Sequence, residues 1–220
     1  VLGVGRDKVR VLTERVGGSF GMKQPTYPEH FCIMHAARAL GRPVKWTDER
    51  AGSFLSDSHG RDHETVAELA LDAEGNFLAV RLDILGNLGA WYGAPGPATG
   101  NAVKNIIGVY KTPLVAVTTR CVFTNTTPVG AYRGAGRPEA NYYMERLVDT
   151  AAREMGIDQV VLRRRNHIAP GAIPYKAPNG AIYDSGDFTA LFDQALSLAD
   201  WQGFADRQRE ARIVLLLLAD

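Results

Sequence analysis

With 220 residues, 45% of them hydrophobic and 22% charged, the chain has the composition of a folded globular protein with room for a sizeable core. Its 25 Lys and Arg balance 24 Asp and Glu for a net charge of +1, which argues against a nucleic-acid-binding domain and offers no polybasic patch for a membrane. Cys32 and Cys121 lie far apart without metal-ligand spacing, so no zinc or iron–sulfur site is expected; both read as reduced, buried thiols in a reducing, cytoplasmic setting.

The opening VLGVGRDKVRVL lacks the regions of a signal peptide. Residues 8–13 (KVRVLT) predict a short strand, and 17–27 (GGSFGMKQPTY) a glycine-rich loop. From Pro28 to Leu40 apolar residues recur at helical spacing (Phe31, Met34, Ala37, Leu40), and Gly41 stands where a C-terminal cap belongs. Residues 43–47 (PVKWT) predict another strand. The runs 63–72 and 77–91 read as strands through Val66, Leu69 and Leu71, then Leu78, Val80, Leu82 and Ile84; Asp72–Asn76 between them supplies hairpin-turn chemistry. A Pro/Gly-rich loop follows at 93–101, a strand at 114–124 and a second glycine-rich loop at 125–138. Residues 139–155 predict a helix with Tyr142, Leu147, Val148 and Ala151 or Ala152 on one side, ended by Gly156. A short helix is expected over 158–166 with Asp158 in its first turn, and Asp184-Ser185 is expected to cap a helix over 186–200. The apolar tail Ile213–Leu218 is too short to cross a bilayer; it reads as a buried strand or an aberrant end. The sum is an α+β fold with a mixed or antiparallel sheet and packed helices, since strict strand–helix alternation is missing.

Two loops carry chemistry. Gly17-Gly18-Ser19-Phe20-Gly21-Met22-Lys23 joins an expected strand to a helix, and its glycines permit close backbone approach to a ligand with N–H groups aimed at an anion or oxo group. It matches neither a P-loop nor GxGxxG, and taken alone a plain tight connection is the readier explanation. Gly130-Ala131-Tyr132-Arg133-Gly134-Ala135-Gly136-Arg137-Pro138-Glu139 sets two arginines among glycines before a helix, a pattern suited to an oxyanion or phosphate. A capped loop with solvated arginines is its bland alternative. His59-Gly60-Arg61-Asp62-His63-Glu64 reads as a solvated polar turn, because a strand beginning at His63 does not bring positions four apart together for a metal. Arg163-Arg164-Arg165 reads as a solvated helix face.

The order and spacing of these pieces say more than each alone. The stretches VRVLTERVGGSFGMKQPTYPEHFCIMHAARALGRPVKWTDER, HGRDHETVAELALDAEGNFLAVRLDILGNLGAW, VFTNTTPVGAYRGAGRPEANYYMERLVDTAAREMGID and LRRRNHI resemble the first molybdopterin-binding region of molybdenum hydroxylase large subunits, the family of xanthine dehydrogenase, aldehyde oxidase and carbon monoxide dehydrogenase. The AYRGAGR loop is similar to the carbon-monoxide-dehydrogenase-like branch. The resemblance covers residues 8–204, which implies a first molybdopterin-binding domain over 1–204 of a larger subunit, with 205–220 the start of a following region or an aberrant tail.

The resemblance implies oxidoreductase chemistry: hydroxylation of an aldehyde or N-heterocycle with oxygen derived from water. Electrons would leave through 2Fe-2S clusters and FAD held on partner domains or subunits. The implied cofactor is molybdenum-molybdopterin as the cytosine dinucleotide. The implied partners are an iron–sulfur subunit and an FAD subunit, with a homodimer of the complex, and neither nucleic acid nor membrane. Gly18, Ser19, Phe20 and Gly21 would lie against the cofactor, as would Ala131, Tyr132, Arg133 and Gly134. Phe20, Gln24, Asn101 and Ala135 would wall the substrate pocket. Gln24 and Asn101 replace the acidic and arginine residues of the xanthine-oxidising members, which points away from xanthine. Gly134 stands where the carbon monoxide enzymes carry a copper-binding cysteine. The family's catalytic glutamate has no counterpart in a matching motif here, so the chain is expected to be inactive alone. A cofactor-free structural remnant and a nucleotide-binding module are the competing readings.

Overall fold

A computed structural model describes residues 3–92 and 99–217, with side chains described to Arg212. Pro28–Leu40 forms the first helix (α1), with proline at its start where no backbone donor is needed and Gly41 at its end in the left-handed region (φ 62°). Arg50–Ser56 is a short second helix (α2). His63–Leu71 (β1) and Phe77–Gly89 (β2) are neighbours in a sheet of order β1–β2–β3, where β3 is Leu114–Phe123. The Asp72–Asn76 link permits only an antiparallel pair. It closes through Gly75 N–H to Asp72 O (3.0 Å) and Asp72 N–H to Asn76 O (3.1 Å), with Gly75 at φ 86°. Thr99–Asn105 (α3) precedes β3. Arg137–Met155 (α4) and Gln159–Asn166 (α5) follow it. A two-residue antiparallel pair, Tyr175–Lys176 (β4) with Ile182–Tyr183 (β5), leads to Phe188–Leu198 (α6) and Phe204–Leu217 (α7).

The chain folds as two compact units. The first holds the chain up to Glu68 with Arg81–Ile106 and Ala116–Arg146; the second holds Leu69–Val80, Ile107–Val115 and Leu147 onward. In the first, Leu82, Ile84, Val129, Ala140 and Met144 are buried. In the second, Phe77 packs on Tyr110 (centroids 5.4 Å apart) and Tyr110 on His167, beside buried Leu162 and Ile168. Asp158 caps α5, its carboxylate accepting from Val160 N–H and Val161 N–H, as a residue just before a helix does.

Several expectations are corrected. Residues 8–13 and 43–47 are not strands: no strand lies beside them among the described residues, and Val11 and Trp46 are exposed. The α1 stripe is likewise unburied, so Cys32 on α1 and Cys121 on β3 are exposed free thiols rather than core residues. Val66 and Leu78 face solvent; Phe77, at the start of β2, takes the buried place. On α4 the buried stripe is Ala140, Met144, Val148, Ala151 and Ala152, with Tyr142 turned outward. The cap of α6 is Asp187, whose carboxylate accepts from Ala190 N–H at 2.9 Å; Asp184 and Ser185 lie too early to reach the helix amides and bond to each other. The expected loop at 93–101 falls partly outside the described residues, and Thr99 onward is helical. The tail is helical through Leu217 rather than a strand.

Candidate functional site

Both glycine-rich loops belong to the first unit. In the earlier loop the chain turns through left-handed conformations at Phe20 (φ 50°) and Gly21 (φ 91°), closed by Met22 N–H to Ser19 O at 3.0 Å. A Cβ on Gly18 would lie 2.5 Å from the Phe20 ring, so glycine is required there for the aromatic to fold over the backbone. The loop is tied down at its far end. Tyr27 donates its hydroxyl proton to Met22 O (3.0 Å), and Lys23 pairs with the buried Asp57. Burial pulls the Lys23 pKa down, but the hydrogen bond and charge of Asp57 outweigh it and leave the ammonium above its ordinary value.

The later loop is a left-handed turn. Gly134, Ala135 and Gly136 follow one another at φ 91°, 44° and 94°, a conformation that costs an L-residue energy. Ala135 N–H to Tyr132 O (2.7 Å) and Arg137 N–H to Gly134 O (3.1 Å) close it. At its exit, Gly136 N–H donates to the buried Glu139 carboxylate at 3.0 Å. At its entry, Gly130 N–H donates to His59 O at 2.8 Å. Asn101 on α3 donates its amide to Ala135 O at 2.9 Å, so these two expected pocket residues are bonded to each other.

One main-chain bond joins the loops: Arg133 N–H to Phe20 O, 2.8 Å. Gly21 is needed at that contact, since a Cβ would stand 3.3 Å from Ala131 O. The Arg133 guanidinium lies over the Phe20 ring at 5.7 Å. Phe20 and Tyr132 remain 57% and 39% exposed, so the joined loops present an open aromatic and cationic edge. Gln24 is exposed on the earlier loop, and no hydrogen bond joins its side chain to Asn101 or Ala135 among the described residues. A cleft of about 770 Å³ lies beside the later loop, walled by Met22, Phe54, His59, Arg61 and Tyr132.

Arg61 is the residue that sequence reading missed. It donates to Tyr132 O and to Arg133 O, each at 3.0 Å. Nearby, the His63 ring nitrogen Nδ1 bonds the Tyr143 hydroxyl at 2.9 Å, while the buried Nε2 finds no partner among the described residues. Burial pushes the His63 pKa below its ordinary value, against the charges of Glu139 and Asp62. Among the described residues, no group of three or more His, Cys, Asp or Glu side chains is arranged to hold a metal ion.

The family model for the molybdopterin cofactor-binding domain matches residues 1–167. The chain belongs to the molybdopterin-binding domain of molybdenum hydroxylase large subunits. It is 37% identical over 210 residues to the 6-hydroxypseudooxynicotine dehydrogenase complex subunit gamma of Paenarthrobacter nicotinovorans, covering 93% of this chain and 26% of that protein. It is 33% identical to the carbon monoxide dehydrogenase large chain of Hydrogenophaga pseudoflava, over 96% of this chain and 27% of that one. Among solved structures, quinoline 2-oxidoreductase from Pseudomonas putida 86 superposes with a TM-score of 0.83 at 35% identity, covering 90% of this chain and 25% of that one. The chain therefore spans about a quarter of the length of the relatives it matches. The expected α+β fold, a mixed or antiparallel sheet with packed helices, agrees with these neighbours. No described helix is long and apolar enough to cross a membrane.

Proposed function

We propose that this chain is the domain that cradles molybdenum-molybdopterin, in its cytosine dinucleotide form, within the catalytic subunit of an oxidoreductase. The observation that carries the reading is the Arg133 N–H to Phe20 O bond, which fuses two glycine-rich loops into one exposed edge. That edge fits the group: glycine backbone allows close approach, the Arg133 guanidinium suits a phosphate-bearing ligand, and Phe20 and Tyr132 offer flat apolar faces for a pterin. The binding set is then Gly18, Ser19, Phe20 and Gly21 with Ala131, Tyr132, Arg133 and Gly134. When bound, the cofactor supplies the two-electron redox chemistry that adds water-derived oxygen to an electrophilic carbon.

The chain's own residues bind, orient and exclude. The loop backbone fixes the cofactor by donors whose direction is set before binding, which spares reorganisation later. Gln24, Asn101 and Ala135, with Phe20, wall the substrate side. Asn101 acts there chiefly by holding Ala135 O. No acid or base is assigned to this chain, so turnover needs further polypeptide, an iron–sulfur subunit and an FAD subunit, in a cytoplasmic complex whose dimerisation is part of the same expectation. The relatives named for 6-hydroxypseudooxynicotine and quinoline favour an N-heteroaromatic substrate over carbon monoxide, and Gly134 in the place of a copper-binding cysteine agrees. The domain is taken to extend over 1–204.

Metal and pterin analysis of the purified chain tests the reading. Near-stoichiometric molybdenum and oxidised-pterin fluorescence are expected from the chain or from the chain joined to its neighbouring domains. Absence from both would favour the second reading, a structural remnant.

A further inference from the structure

Arg61 sits in a stretch that reads as a solvated turn, yet its surroundings are those of a built device. Arg61 and Asp62 both adopt left-handed backbone conformations (φ 71° and 54°), which non-glycine residues hold only when neighbours force them to. The forcing is visible. Asn87 on β2 donates its main-chain N–H to Asp62 O (3.1 Å) and its side-chain amide to the Asp62 carboxylate (2.6 Å). Asn87 is itself held by Thr124 and Thr126. Gly60 lets this corner press against the later loop, since a Cβ there would lie 2.5 Å from Tyr132 Cβ.

The strained corner delivers one side chain. The Arg61 guanidinium stacks over the Tyr132 ring at 5.1 Å and reaches two successive carbonyls, Tyr132 O and Arg133 O, with separate nitrogens. Nη1 also stands 3.8 Å from Glu139, the buried carboxylate that accepts Gly136 N–H. One planar cation thus grips the loop at its start and, through Glu139, at its end. Two successive carbonyls drawn to one guanidinium fix both intervening peptide planes, and with them the direction of the Arg133 N–H that reaches Phe20 O.

We propose that Arg61, acting with Glu139, is the positioning residue that sets the left-handed form of the Ala131–Gly136 loop and so its competence to retain the cofactor. The second clause rests on the proposed function above; the first does not. Lysine cannot substitute, because an ammonium is a point donor without the planar fork that spans two carbonyls and lies flat on a tyrosine ring.

Amide hydrogen exchange on the full chain tests this with Arg61→Lys and Glu139→Gln, using the Thr124 amide, bonded to Gly89 O in the same unit, as the internal control. In Arg61→Lys the Ala135 and Arg133 amides should exchange roughly tenfold faster or more, with Thr124 unchanged. Glu139→Gln should speed Gly136 most. Pterin retained by the Arg61→Lys chain should fall by the same order while its melting temperature holds. Unchanged loop amides in Arg61→Lys would overturn the proposal. So would equal acceleration of Thr124, which would make Arg61 a general stabiliser. If neither the native chain nor the chain joined to its neighbouring domains retains pterin, the cofactor reading fails, and loop exchange alone still decides the role of Arg61.

Discussion

Asn166 in the second unit and Arg61 in the first each hold several backbone groups at once, under opposite conditions. Asn166 is 4% exposed: its amide oxygen accepts from Phe77 N–H, its nitrogen donates to Gly75 O and Leu162 O, and its main-chain carbonyl accepts from Lys111 N–H at 2.7 Å. The Arg61 side chain is 36% exposed and works on a surface loop. Removing a buried partner strands groups that water cannot reach, whereas water readily replaces an exposed one. The buried clamp therefore maintains the fold, and the exposed one maintains a local shape.

Substitutions can break or sharpen that contrast. Asn166→Ala is expected to have the largest effect, lowering unfolding free energy by roughly 3 kcal/mol, because buried donors and acceptors at Phe77 and Gly75 lose their partner. Denaturant titration checks it, and a loss smaller than about 1 kcal/mol would break the contrast. Asp158→Ala removes a helix cap at the part-exposed start of α5 and should cost about 1 kcal/mol by the same titration. Arg61→Lys should cost less than that globally, under about 1 kcal/mol, while loosening its loop.

The smallest effect is expected from His63. Its folded pKa is lowered, so the unfolded chain takes up a proton first, near pH 6.5. Its contribution is therefore full above that pH, is lost as pH falls toward the folded pKa, and levels off below it. Thermal melts from pH 7.5 to 5 should slope downward toward acid, and His63→Gln should flatten part of that slope. An unchanged slope would show that other groups carry it.

What the sequence disclosed follows from range. The Asp72–Asn76 turn, the Gly41 and Gly156 stops and the Asp158 cap rest on contacts a few residues long, and all are present. The α6 cap was misplaced because Asp184, Ser185 and Asp187 all suit that role and only the path of the chain chooses between them. The stretches 8–13 and 43–47 have strand-like composition, but a strand needs a partner, which composition cannot supply. The two loops were legible as motifs; the bond between Phe20 and Arg133 was not. Arg61 and Asn166 were hidden for the same reason, since their partners lie far along the chain. The one local sign near Arg61 was Gly60, a residue that permits close backbone approach.

The exposed thiols of Cys32 and Cys121 change how the molecule is handled and watched. A maleimide dye can reach both without an introduced cysteine, reporting α1 from one position and β3 from the other. The same accessibility opens both to oxidation, so preparations stored without reductant should accumulate covalent dimers on a non-reducing gel.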